Sequence, residues 1–196
     1  GYNTQNTVSV ASSSERSQSF VSAGSVNSRG IIPNNEYSRY NFTIRHGREL
    51  VKDKLELDTD FFFTKSESQN GVAQGLYYNP LLPVYLFPPS ENFERLKTYE
   101  IYDSGRNFAT MYWPYSNTGL HALSQNPYWI TNRIRSKSLR NRVMASLSAD
   151  WKVNGWLRIR ARGNVDYIDD KVRQRFYAST APALAGNNGR YIEGGY

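Results

Sequence analysis

The side chains of this sequence that could do chemistry are few, and their spacing favours charge display over catalysis. There are two histidines and no cysteine. His46 closes an alternating segment and His121 lies in a long irregular stretch, so neither has the neighbouring ligands that a metal set requires. No metal and no cofactor is expected. Glu56, Asp58 and Asp60 recur at every second residue, which on a β-strand puts three carboxylates on one face. Such a row can hold a cation or answer the arginines of a neighbouring strand, and the second use is expected here. Asp169-Asp170 reads as a strand end. Gly71 and Gly75 lack the strand, glycine loop and helix of a phosphate site. No convergent acid–base pair emerges, so no enzyme is expected.

Two other groups of residues carry more information. Tyr77, Tyr78, Tyr85, Trp113, Tyr115, Tyr128 and Trp129 fall in a stretch rich in Pro, Asn, Tyr and Ser. Their flat apolar faces and polar edges suit stacking on sugar rings, gripping a peptide or meeting a partner protein. They suit equally well the packing of a loop on itself, as does the apolar run Leu81-Leu82-Pro83-Val84-Tyr85-Leu86-Phe87. The second group is Arg158, Arg160 and Arg162, again at every second residue.

The element that positions those arginines is a β-hairpin from Arg142 to Asp170, turning at Val153-Asn154-Gly155, since Asn-Gly is the strongest short hairpin signal. Val143, Ala145, Leu147, Ala149, Trp151 and Val153 share one face of its first strand; Arg142, Ser146, Ser148, Asp150 and Lys152 share the other, with Met144 as an apolar intruder. In the second strand Leu157, Ile159, Ala161, Gly163, Val165 and Tyr167 alternate with Arg158, Arg160, Arg162, Asn164 and Asp166. A helical period of about 100° per residue would scatter both sets. Both strands reach the ~9–11 residues that cross a bilayer at a tilt. Trp151 and Trp156 at the turn end and Tyr167 at the open end have the layout of interfacial aromatic belts. Three arginines on the opposite face would each cost ~2–4 kcal/mol at the lipid midplane, so that face must meet water.

Further strands are expected near residues 5–11, 19–27, 37–46 and 54–64, beside those near 142–153 and 156–169. In the third, Tyr40, Phe42 and Ile44 oppose Arg39, Asn41, Thr43 and Arg45; in the fourth, Leu55, Leu57, Thr59, Phe61 and Phe63 oppose Glu56, Asp58 and Asp60. Pairing these two sets the basic face of one beside the acidic face of the other. Tyr40, Phe61 and Phe63 join the aromatic belts. From Thr64 to Leu139 no pattern persists, and so long a loop is usually functional. Connections alternate strictly between short and long, which in an up-and-down barrel gathers the short turns at one rim and the long loops at the other.

Length and composition agree. The chain has 196 residues, 15 tyrosines and a net charge of +7, but its arginines alternate along strands instead of clustering, so nucleic-acid binding is not expected. No run of ~18 apolar residues exists for a transmembrane helix, and Gly1-Tyr2-Asn3-Thr4 does not open a signal peptide. The fold class expected is all-β: antiparallel up-and-down strands forming part of a large transmembrane β-barrel, with one very long irregular extracellular loop over 64–139. Six strands fall short of the ~8 of the smallest barrels, and the last residues read as loop, so the chain is expected to be one segment of a larger barrel.

The ordered set SFVSAGSVNSRGII, NEYSRYNFTI, LVKDKLELDTDFFFTKS, QNPYW and NRVMASLSADWKVNGWLRIRARGNVDY resembles the barrel region of SusC/RagA-type TonB-dependent transporters of Bacteroidetes, over essentially the whole chain. Ser12-Ser13-Ser14 departs from the glycines expected at the first turn. The plug, the energy-coupling box and most of a ~22-strand barrel are absent from these residues. The resemblance implies an outer-membrane importer of a bulky glycan or peptide, lidded by a SusD-like surface lipoprotein and energised by TonB through a plug outside this chain. Arg45, Glu56, Asp58, Asp60, Arg158, Arg160 and Arg162 are then expected to line the lumen. The alternative is a soluble β-sandwich that binds carbohydrate through its aromatic loop, with Val143, Leu147, Leu157, Ile159, Phe42 and Leu57 covered by a second sheet instead of lipid.

Overall fold

The computed structural model describes residues 1–73, 75–115 and 124–195, leaving aside the side chain of Leu184. In chain order the strands are β1 (Tyr2–Ser14), β2 (Ser17–Arg29), β3 (Glu36–Val51), β4 (Leu55–Gln69), β5 (Glu100–Asp103), β6 (Phe108–Met111), β7 (Ile134–Lys152), β8 (Arg158–Phe176) and β9 (Arg190–Gly195). Seven of them form one antiparallel sheet in the order β1-β2-β3-β4-β7-β8-β9, and β5 and β6 form a separate hairpin. The connections of Glu15-Arg16, residues 52–54 and residues 153–157 gather at one rim; those of residues 30–35, 70–133 and 177–189 gather at the other.

The strands run further than the apolar alternation suggests. β4 continues through Lys65–Gln69 against Asn141–Lys137 of β7, where the side chains on both faces are mostly polar. The period-two signal fades there while the backbone ladder, which needs no particular side chain, carries on. The long connection therefore spans 70–133 and has structure of its own: helix α1 (Leu81–Tyr85), a 3-10 turn (Phe93–Lys97), the β5-β6 hairpin and helix α2 (Pro127–Arg133). The glycine-rich tail expected to be loop holds a short helix, α3 (Pro182–Ala185), and then β9, which pairs with Lys171–Phe176. The tight turn expected at Val153-Asn154-Gly155 is a five-residue loop between Lys152 and Arg158. The Asn154 carboxamide oxygen accepts from the amides of Trp156 (3.1 Å) and Leu157 (2.9 Å), and Val153 N–H donates to the Leu157 carbonyl.

Register sorts the two faces across six strands. One row reads Val10, Val21, Ile44, Phe61, Ala145, Val165; the next reads Val8, Ala23, Phe42, Phe63, Val143, Tyr167. The apolar band covers Leu55–Phe63, Val143–Trp151 and Ile159–Tyr167 on β4, β7 and β8, and narrows to Val8 and Val10 on β1 and Val21 and Ala23 on β2. Nothing among the described residues is layered over it: Leu147 is 53%, Ile159 45% and Val165 65% exposed. The opposite, charged face curves around a concavity of about 940 Å³ near the short-turn rim, lined from β1 across to β8.

The fully buried side chains lie at the long-loop rim instead: Trp129, Leu96, Gln125, Asn126, Thr180 and Pro83. β9 is held there by Gly189, whose φ of +83° is open to glycine and where a Cβ would come within 2.6 Å of the Phe176 carbonyl oxygen. Gly189→Ala is expected to destabilise the β8-β9 pairing by more than ~1 kcal/mol. Hydrogen exchange should then speed up for residues 190–195 and leave β7 and the lower half of β8 unchanged.

Candidate functional site

Two regions carry the expected functional residues: the concave wall and the loop assembly above it. On the wall, Arg45, Glu56, Asp58, Asp60, Arg158, Arg160 and Arg162 do share one face, because each sits in register with the next: Arg45 with Asp60, Glu56 with Asp150, Asp150 with Arg160. Arg45 Nε lies 3.8 Å from Asp60, which also accepts from the Ser146 hydroxyl at 3.1 Å. Asp150 is the hub of the turn end, accepting from both Arg158 and Arg160, the latter at 2.7 Å. Further up, Arg140 makes paired bonds to Asp170 and Arg142 to Asp166, each at 2.6 Å in its shorter contact. Alternation alone did not single out Asp150, Asp166 and Asp170 as answering carboxylates; that needs the β7-β8 register. Asp170 is thus an inward strand residue, not a strand end.

Glu56, Asp58 and Arg162 have no ion-pair partner among the described residues. Asp58 leans across β3 because Gly47 stands opposite it: a Cβ there would meet the Asp58 carboxylate at 2.7 Å. No group of three His, Cys, Asp or Glu placed to hold a metal occurs among the described residues. His46 faces the other side of the sheet, with Nδ1 2.8 Å from the Ser19 hydroxyl; His121 lies outside the described residues. Tyr40, Phe61, Phe63, Trp151 and Tyr167 all lie on the apolar face, whereas Trp156 belongs to the turn and projects into the surroundings.

The loop assembly is built around Asn126-Pro127. Asn126 caps α2, accepting from Tyr128 N–H at 2.9 Å, while its amide donates to the carbonyls of Leu96 (3.0 Å) and Tyr112 (3.1 Å). Proline follows where its missing N–H costs nothing. Gln125 donates to the Tyr77 carbonyl and accepts from Ala181 N–H, joining the long loop to the 177–189 connection. Trp129 Nε1–H donates to Thr180 Oγ1 at 3.1 Å across the same seam. On the other side Asn34, with φ of 64°, donates to the Thr131 carbonyl, and Asn70 donates to the Asn34 carbonyl. Three connections are thus one packed unit. It leans over the concave side, since Tyr78 packs 5.3 Å from the inward-facing Phe176.

This corrects the expectation for the aromatic loop. Trp129 (1% exposed) and Trp113 (5%) are core, where a bulky ring with one polar edge replaces a missing second layer, and cannot present faces to cargo. Tyr77, Tyr78, Tyr115 and Tyr128 are half-buried. Trp113, Tyr115, Phe87, Phe93 and Tyr128 form a continuous run of rings with centroids 5.2–6.4 Å apart, mostly edge to face. Tyr85 alone of the expected set stands out, at 81% exposed. Arg133 spans Glu100 (2.7 and 2.8 Å) and the face of Tyr177, 4.9 Å away. Burial works against its charge, but the Glu100 bonds outweigh that and raise the guanidinium pKa. Burial likewise pushes the Tyr78 hydroxyl up, so it stays protonated.

No protein-family model matches the chain, and a search of curated proteins finds no match. The site stands on its own geometry. Asn126→Ala strips the buried Leu96 carbonyl of its donor, at ~1–3 kcal/mol, takes another donor from the part-buried Tyr112 carbonyl, and removes a helix cap. Limited proteolysis is expected to cut within 75–115 faster in that variant while β7 and β8 stay resistant, and Tyr85→Ala should leave the cleavage rate as it was.

Proposed function

We propose that this chain forms part of the wall of a bacterial outer-membrane β-barrel that imports a bulky nutrient, glycan or peptide, of the SusC/RagA transporter type. The observation that carries the reading is the uncovered apolar face of the sheet, backed by a charged and concave one. Leaving a Val, Leu or Ile side chain in water forgoes ~1.5–3 kcal/mol each, and a band of this kind across six strands needs an apolar surrounding. Lipid supplies one. The inward arginines, mostly tied to carboxylates on the next strand, then border a wet lumen. A soluble carbohydrate-binding sandwich would need a second sheet over Leu147 and Ile159, and no described residue provides it.

In this reading the short turns face the periplasm, and the packed loop unit stands at the outer rim, narrowing the mouth. Its exposed Tyr85 and half-buried rings offer contacts to cargo or to a SusD-like lipoprotein lid. TonB acts through a plug, and both the plug and the rest of the barrel lie on polypeptide outside these residues.

The test is reconstitution. The chain is expected to be monodisperse in detergent micelles and to aggregate in plain buffer. In vesicles containing brominated lipid, Trp151 fluorescence should be quenched and Trp129 spared, measured in single-tryptophan variants. Leu147→Arg should destabilise the vesicle-inserted fold by ~2–4 kcal/mol, whereas Ser146→Arg, one residue away on the wet side, should cost far less. A chain that stays monodisperse without detergent, with Leu147 shielded from exchange and quencher alike, would sink the reading.

A further inference from the structure

Toward the long-loop rim the outward face of the sheet stops being apolar and turns basic. On the face that carries Phe63, Val143 and Tyr167, the cations further along β4, β7 and β8 are Lys65, Lys137, Arg135, Lys171, Arg173 and Arg175. Carboxylates on the same face answer part of this charge. Glu67 holds Lys137 at 2.6 Å, Asp169 holds Lys171 at 3.4 Å, and Glu193 of β9 holds Arg173 at 2.7 Å. Lys65, Arg135 and Arg175 have no ion-pair partner among the described residues.

Register sharpens the imbalance. On the inward face directly opposed charges are of opposite sign, as with Arg45 and Asp60, Asp150 and Arg160, or Arg140 and Asp170. On the outward face Arg135 stands directly opposite Arg175, and Lys137 directly opposite Arg173. Like charges in that position destabilise a ladder, and two successive rungs of cation on cation call for an anion over them. The four line a depression of about 410 Å³, together with Gln69 of β4 and with Asn34 and Asn70 of the rim connections. Arg135 Nε donates to the Asn132 carbonyl at 3.3 Å, and the Arg175 guanidinium lies 5.7 Å from the Tyr191 ring. Both side chains are thereby steered, while most of the five donors of each guanidinium are left for a ligand.

We propose that this patch binds the headgroup of an anionic glycolipid, a saccharide bearing phosphates, whose acyl chains lie along the apolar band. The inference rests on the lipid-facing reading and names the lipid. Position selects a lipid, because the patch continues the strands and the face of the band, and a molecule with chains against Val143 and Tyr167 carries its head past these cations. Height selects a tall head. Asn141 and Asp169 form the first polar outward pair beyond Val143 and Tyr167, and Arg135 and Arg175 lie six residues further on. That is ~20 Å along a strand and ~15 Å in height at a tilt of ~35–45°. The headgroup layer of a phospholipid leaflet is only ~5–7 Å deep, so a single phosphodiester falls short of the upper rung, whereas a phosphorylated saccharide reaches it. Guanidinium forks suit phosphate oxygens two at a time.

The test uses the chain in detergent micelles, with binding read by native mass spectrometry and by amide exchange. Diphosphorylated lipid A is expected to slow exchange at residues 134–137 and 173–176. It should bind about tenfold tighter than its dephosphorylated form or phosphatidylglycerol, and inorganic phosphate should not displace it. Arg135→Gln combined with Arg175→Gln should weaken lipid A about 30-fold, roughly fivefold for each cation near a charged surface, and the two Arg→Lys changes should recover most of that loss. With two opposed like charges gone, the Gln variant should exchange no faster than the parent when no lipid is present, which a merely structural role for the arginines would not allow. Lys52→Gln with Lys54→Gln, at the opposite rim, should leave binding unchanged. Equal affinity for phosphatidylglycerol or for dephosphorylated lipid A would overturn the inference, as would displacement by inorganic phosphate or undiminished binding by the Gln variant. A poly-glutamate peptide that binds as tightly as lipid A would overturn it in favour of an acidic protein face. These results concern a chain that needs detergent; a chain monodisperse without it fails the lipid-facing reading itself, and this inference with it.

Discussion

A single antiparallel sheet has two faces and no interior, and everything else in this protein answers to that constraint. Side chains alternate along each strand, and register carries the alternation from β1 to β8, with a shift between Glu49 and Val51 beside the β3-β4 turn. Each face must therefore find its own solvent. The apolar one has aliphatic and aromatic rows across six strands and no covering layer among the described residues; the charged one curves inward. A soluble protein resolves this by folding a second sheet or helices over the greasy side. Here the loops that could have done so pack at one end of the strands instead.

That end is where ordinary globular rules return. Asn126, Gln125 and Thr180 are buried, and each has its polar atoms in use, on the carbonyls of Leu96, Tyr112 and Tyr77, the amide of Ala181 and the indole of Trp129. A connection of this length would be costly to order as bare coil. Buried amides that tie three connections together let it behave as a small rigid body. The aromatic run beside it serves the same end, since edge-to-face rings lock one another while leaving only their margins outside.

The charged face follows a third logic. Its arginines are answered mainly across the ladder, two of them by the single carboxylate of Asp150, so the wall can be densely charged and still close to locally neutral. Arg162 stands beside Ser148 on β7, and like Glu56 and Asp58 it has no ion-pair partner among the described residues.

The local pattern was legible from residues alone wherever side chains alternate. The hairpin about Asn154, the face shared by Glu56, Asp58 and Asp60, and the common face of Tyr40, Phe61, Phe63, Trp151 and Tyr167 follow from a period of two, which each strand writes into its own sequence; the alternation of short and long connections follows from where that period stops. The ends of β4 and β7 and the whole of β9 were not legible, because a backbone ladder continues through polar or glycine-rich residues that carry no periodic signal. Nor could composition separate Trp129 from Tyr85: both are loop aromatics in sequence, and one is core while the other is surface. That distinction, like the choice of Asp150 as hub, depends on which distant residues the fold brings alongside, and such pairings exist only once register and loop packing are set in three dimensions.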